Sequence, residues 1–176
     1  MGNRRLIQVY TGDGKGKTTA AIGLAVRAAG RGLKTFFAQF MKCGEYGEHL
    51  AIHRWMKDSI VFEQFGVARF HFSDEPVSEE ERESAAHGLR AVKDALIRGL
   101  FDIIVLDEIN VALHFGIVPP EPVLEIMDIK PLPSELILTG RRAPAEVLQR
   151  AHLITEMWER RHYYNDGISA RPGIEI

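Results

Sequence analysis

Leu6-Ile7-Gln8-Val9-Tyr10-Thr11-Gly12-Asp13-Gly14-Lys15-Gly16-Lys17-Thr18-Thr19-Ala20-Ala21 joins a short apolar run to a glycine- and lysine-rich turn and then to an Ala-rich segment. A strand, a Gly-rich loop and a helix in that order make the setting of a phosphate-binding loop. Gly12, Gly14 and Gly16 let the backbone wrap an anion with its N–H groups inward, and the helix start adds its positive dipole. Asp13, Lys15 and Thr19 complete the loop, Lys17 can reach phosphate oxygens, and the Thr18 hydroxyl is placed to ligate Mg²⁺. The usual pattern has a glycine five residues before Gly16, where this sequence has Thr11, so the loop is a variant.

The rest of the chain repeats the alternation of strand and helix. Strands are expected at Leu6 to Tyr10, Lys34 to Phe40, Ile60 to Phe65, Ile103 to Asp107, Glu135 to Thr139 and, weakly, Leu153 to Glu156. Several are apolar on successive residues, as strands covered on both faces are. Helices are expected from Lys17 to about Ala29, stopped by Gly30 and Gly32, and from Glu48 to Met56. Another is expected from Ser78, where Glu81 makes a capping box, to about Arg98. Pro120 or Pro122 can begin a short helix, and Pro144 one to Arg150. The pattern predicts one α/β domain over residues 1–176, with a mostly parallel, RecA-like phosphate-loop sheet flanked by helices.

Composition narrows the function classes. With 22 Lys+Arg against 24 Asp+Glu the formal charge is −2, which supplies no basic field for nucleic acid or an acidic membrane. Cys43 is the only cysteine, which excludes an internal disulfide and a multi-thiolate zinc site. No signal or membrane segment is legible, so the cytoplasm is the expected location.

A second motif, Ile103-Ile104-Val105-Leu106-Asp107-Glu108, ends a strand in two carboxylates. In open α/β sheets ligands bind at that end, and a carboxylate there holds Mg²⁺ or orients an attacking group. Together the motifs predict a bound Mg-nucleotide. Arg141, just past a strand, can pair a phosphate or ribose oxygen. Arg31 and Lys42 with Glu48 are weaker candidates of that kind. His49 and His53, four apart with Cys43 nearby, have a spacing that can bind metal.

Beyond the loop and the two carboxylates, Gln39-Phe40-Met41-Lys42, Gly47-Glu48, Ile109-Asn110, Leu138-Thr139-Gly140-Arg141, Ile154-Thr155-Glu156-Met157, Arg161-His162 and Gly173-Ile174-Glu175 stand in a fixed order. In this set the chain resembles the ATP:corrinoid adenosyltransferases of the phosphate-loop type, over nearly its whole length. The resemblance implies a homodimer that transfers the 5′-deoxyadenosyl group of ATP to the Co(I) centre of a corrinoid, cob(I)alamin or cob(I)yrinic acid a,c-diamide. Triphosphate is released, in adenosylcobalamin biosynthesis or salvage, with a flavoprotein supplying the electron.

On that resemblance Thr18 and Glu108 are the Mg²⁺ (or Mn²⁺) partners with Asp107 in support, and ATP lies reversed, its C5′ toward the corrinoid. Phe70 and Phe72 resemble the family's aromatic pair, which presses on the lower corrin face and removes the axial ligand. With Lys17 and Glu108 they are the expected catalytic residues. Family members frequently carry an extension before the first strand, where five residues precede Leu6 here. Two other readings of the same loop are a phosphate-loop ATPase or kinase using Glu108 to activate water or a hydroxyl, and a nucleotide-dependent switch module.

Overall fold

Strand Ile7–Thr11 (β1) runs apolar at Ile7 and Val9 and is followed by helix Lys17–Ala29 (α1), whose Ala21, Ala25 and Ala28 face inward. A computed structural model describes residues 6–68, 76–129 and 134–175. After α1 come Thr35–Phe40 (β2), Gly47–Trp55 (α2), Ile60–Phe65 (β3), Glu79–Arg98 (α3) and Ile103–Asp107 (β4). Ile109–His114 (α4), Pro120–Met127 (α5), Glu135–Thr139 (β5), Ala145–Arg150 (α6) and Leu153–Glu156 (β6) follow, then a 3₁₀ turn at Tyr163–Asp166.

The six strands form one sheet in the order β3-β2-β4-β5-β1-β6, and every pairing is parallel. β5 is inserted between the strand that feeds the glycine loop and the strand that ends in Asp107, which is the expected RecA-like arrangement. Parallel strands need covered faces, and alternate residues supply the cover on each side. Phe36, Ala38, Phe40, Ile104, Leu106, Leu136 and Leu138 pack beneath α3 to α6. Phe37, Ile60, Ile103, Val105 and Ile137 pack beneath α1 and α2. The apolar-on-both-sides strands of the sequence are these.

Strand and helix positions agree with expectation to within a residue or so at their ends. The capping box is formed, with the Glu81 N–H donating to Ser78 Oγ at 3.3 Å and the Ser78 N–H to Glu81 Oε2 at 2.7 Å. Gly30 keeps a helical conformation, and the left-handed turn after α1 falls on Gly32, φ +74. α4 was not expected. It spans six residues and its first turn carries no capping side chain, Glu108 preceding it in the left-handed region at φ +61. No helix among the described residues is long and apolar enough to cross a membrane.

Candidate active site

β1 delivers the chain into the loop at the C-terminal edge of the sheet. The loop is braced from outside by the residues after β6. The Gly14 N–H donates to the Met157 carbonyl at 2.7 Å, and the Met157 N–H donates to the Thr11 carbonyl at 2.9 Å. A Cβ on Gly12 (φ +89) would lie 2.4 Å from the Met157 oxygen, and one on Gly14 2.8 Å from it. Those two glycines are therefore required by the neighbouring backbone as well as by any anion. Thr11, in place of the usual glycine, is the last residue of β1, and its hydroxyl accepts the Ala143 N–H at 3.4 Å.

Lys17 is buried and curls back over the loop, its Nζ donating to the carbonyls of Gly12 and Gly14 at 2.7 Å each. Burial pulls its pKa down, a pull that Glu108 opposes. Beside it the Thr18 hydroxyl donates to Asp107, 3.0 Å from Oδ1 and 3.2 Å from Oδ2. Asp107 is fully buried and also accepts from Thr139 Oγ1 at 2.6 Å and Gln39 Nε2 at 2.9 Å. The carboxylate at the end of β4 is thus anchored to three elements, with the Thr18 oxygen between it and the cleft.

Glu108 follows on the left-handed turn, its N–H donating to Thr139 Oγ1 at 3.0 Å. Burial and then the Asp107 carboxylate push its pKa above the ordinary value of 4.5, against the pull of Lys42, Lys17 and Arg141. The ionised carboxyl is therefore a cost to the folded chain above its raised pKa. The cost disappears below 4.5, where Glu108 is protonated in folded and unfolded states alike. Glu108→Gln is expected to raise the melting temperature of the nucleotide-free protein at about pH 8 and to leave it unchanged at about pH 4. Melts at the two pH values check it; a gain present only in acid contradicts the assignment.

The cleft above these groups holds about 490 Å³. Gly14, Lys15, Gly16, Lys17, Thr18 and Thr19 form its floor, and Lys42, Glu48, Glu108 and Arg141 stand around it. Gly12 and Asp107 lie beneath, reached through Lys17 and Thr18, and Asp13 is exposed at the loop's outer side. The structure thus brings together the loop, both carboxylates, Arg141 and the Lys42 and Glu48 pair. Arg31 is exposed at the far end of α1, roughly 20 Å of helix away.

The His49 ring packs against Phe62 and His53, at centroid distances of 5.4 and 5.9 Å. Among the described residues no three His, Cys, Asp or Glu side chains gather for a metal, so the His49, His53 and Cys43 site does not form. Phe70 and Phe72 lie outside the described residues.

Two features were not legible as site parts. The Met157 brace is made of backbone and leaves no composition signal. The wall of His162, Gly173, Ile174 and Glu175 is held by Arg171, whose Nη2 lies 3.1 Å from Glu175 Oε1 and whose guanidinium stacks 5.0 Å over the Tyr163 ring. Tyr163 also donates to Glu175, and Arg171 first, then Tyr163, lowers the Glu175 pKa to about 2. Gln39 did leave a signal: it is the one amide in the otherwise apolar second half of a buried strand, Phe36-Phe37-Ala38-Gln39-Phe40.

Comparison with known proteins gives a family match. The family described as ATP:corrinoid adenosyltransferase BtuR/CobO/CobP matches residues 3–176. The corrinoid adenosyltransferase CobA of Salmonella typhimurium is 32% identical over 179 residues, covering 98% of this chain and 86% of that protein. An uncharacterized protein of Nostoc sp. is 34% identical over 163 residues, covering 86% of this chain and 43% of that protein. The chain therefore spans less than half of the Nostoc relative. Among solved structures, EssC (ATPases 2 and 3) from Geobacillus thermodenitrificans superimposes with a TM-score of 0.46 at 12% identity, over 99% of this chain and 36% of that one.

Proposed function

The chain belongs to the ATP:corrinoid adenosyltransferase family, and from that membership we infer that it moves the 5′-deoxyadenosyl group of ATP onto the Co(I) centre of a corrinoid. The observation that carries the reading is the cleft at one end of the sheet that is lined by the glycine loop with Lys17 and Thr18, the Thr18 hydroxyl being bonded to Asp107. Cobalt in the substrate attacks the ribose C5′, the C5′–O bond breaks, and its electron pair leaves with triphosphate. No proton is transferred, so no general base is required. What the reaction needs from the protein is stabilisation of charge on a large leaving group.

Lys17 meets that need by exchanging the Gly12 and Gly14 carbonyls for triphosphate oxygens, and Arg141 adds a second cation at the rim. Asp13, Lys15, Gly16 and Thr19 belong to the same ATP-binding loop. The Thr18 hydroxyl and the Glu108 carboxylate would hold Mg²⁺ or Mn²⁺ as hard oxygen donors, with Asp107 in support behind Thr18. The ion supplies charge neutralisation of the triphosphate. Phe70 and Phe72 are assigned to the lower corrin face, where dry apolar contact removes the axial ligand and eases reduction of Co(II).

A flavoprotein electron donor, a role in adenosylcobalamin biosynthesis or salvage, and a homodimer complete the proposal. The outer edge of β6, unpaired among the described residues and with Leu153 and Ile154 about half exposed, supports self-association. Exposed, free Cys43 suits the reducing cytoplasm. The products test the reading. Phosphorus NMR of a turnover mixture is expected to show intact triphosphate and no ADP. ADP and inorganic phosphate in its place would favour the ATPase reading.

A further inference from the structure

Gln64, Gln39 and Asp107 stand side by side on β3, β2 and β4, since Gln39 is in register with both of the others. Their side chains form a continuous chain of hydrogen bonds. Asp107 Oδ2 accepts from Gln39 Nε2 at 2.9 Å, Gln39 Oε1 accepts from Gln64 Nε2 at 3.0 Å, and Gln64 Oε1 accepts the Gly44 N–H at 3.1 Å. The direction of the chain is fixed by chemistry. The Gly44 N–H can only donate, so Gln64 turns its oxygen to it and its NH₂ to Gln39, and Gln39 in turn gives its oxygen to Gln64 and its NH₂ to Asp107.

Burying an amide costs free energy unless both ends are bonded, and Gln39 is fully buried. An apolar residue would serve the sheet at less cost. The loop at the far end of the chain leaves β2 through two left-handed residues, Met41 (φ +60) and Gly44 (φ +132). It carries Lys42 and leads to Glu48, both of which line the cleft.

We propose that Gln39 and Gln64 are positioning residues that couple the Thr18 and Asp107 end of the nucleotide site to the 41–46 loop, so that loading Asp107 orders the loop that bears Lys42 and leads into α2 at Glu48. The proposal rests on the reading of Asp107 as part of a metal–triphosphate site. Gln39 holds the carboxylate's second oxygen, and Gln64 carries the restraint to the Gly44 backbone. Neither lines the cleft.

Amide hydrogen exchange across residues 43–47, with and without Mg-ATP, is the direct readout, together with Mn²⁺ titration by EPR in the presence of ATP. Mg-ATP is expected to slow exchange of the loop in the unaltered protein. Gln64→Met, at a half-buried site, is expected to keep Mg-ATP binding and lose that response. Gln39→Met is expected to lose the response and to weaken Mn²⁺ binding by about 10-fold, as loss of a group that orients a metal ligand does. Gln64→Glu, which can still accept from Gly44 but cannot donate to Gln39, is expected to behave as Gln64→Met. A Gln64→Met protein with the full exchange response overturns the coupling. So does an unaltered protein that forms the Co–C bond while its loop ignores Mg-ATP. An unaltered protein that binds no Mg-ATP overturns the functional reading itself.

Discussion

Lys17→Ala is expected to lower adenosyl transfer by about 10³-fold or more while leaving the melting temperature within about 3 °C of the unaltered protein. The fold does not depend on the ammonium, because its two bonds run to Gly12 and Gly14 carbonyls of its own loop. The leaving group does depend on it. Triphosphate carries away the electron pair of the C5′–O bond, and a donor missing from such a site costs at least two to three orders of magnitude. Rapid-quench measurement of triphosphate formation and a thermal melt separate the two effects. Full transfer in Lys17→Ala would remove the loop from the chemistry, and collapse of the fold would make Lys17 a structural residue.

Gly12→Ala is expected to abolish ATP binding and to destabilise the chain by roughly 2–4 kcal/mol. Two costs combine there. The residue sits at φ +89, and the new Cβ would meet backbone atoms of Met157 at 2.4 and 2.8 Å, which no side-chain rotation relieves. The segment after β6 would have to withdraw, and the bonds from Gly14 to Met157 and from Met157 to Thr11 would go with it. Gly23→Ala is the control. Gly23 lies within α1 with nothing within 4 Å of its would-be Cβ, so alanine is expected to stabilise by about 0.5–1 kcal/mol. Calorimetric titration with Mg-ATP checks the binding and urea unfolding checks the two stability changes. Unimpaired binding in Gly12→Ala would show that the Met157 brace is not part of the site.

The architecture was legible because its strands are buried on both faces and its helices announce their ends. Ile103-Ile104-Val105-Leu106 can be little else but a covered strand, and Ser78 with Glu81 marks the start of α3. β6 was faint for a physical reason: among the described residues it pairs with β1 alone, and all four of its residues are exposed, so no apolar run is required of it. α4 was hidden because it begins directly behind Asp107 and Glu108, without a cap and within six residues.

At the site, the sequence names the groups that would meet a nucleotide and misses those that hold them in place. Lys17, Thr18, Glu108 and Arg141 come with motifs, and the cleft collects them. Met157 and Glu175 stand in motifs that carry the family resemblance, but Met157 acts through its backbone and Glu175 through a fold of the C-terminal segment, so neither residue type names its role at the site. Gln39 and Gln64 are intermediate. Each is a polar residue in a strand, but only the register of β2 with β3 and β4 makes them a row.

In the proposed reaction ATP is cleaved at C5′ by a corrinoid nucleophile. An anaerobic reaction of the protein with Mg-ATP and chemically reduced cob(I)alamin, followed by its visible spectrum and by phosphate analysis, tests it most directly. The spectrum of adenosylcobalamin is expected, appearing with triphosphate in equal amounts. Untouched ATP, or ADP and phosphate without a Co–C bond, would contradict it.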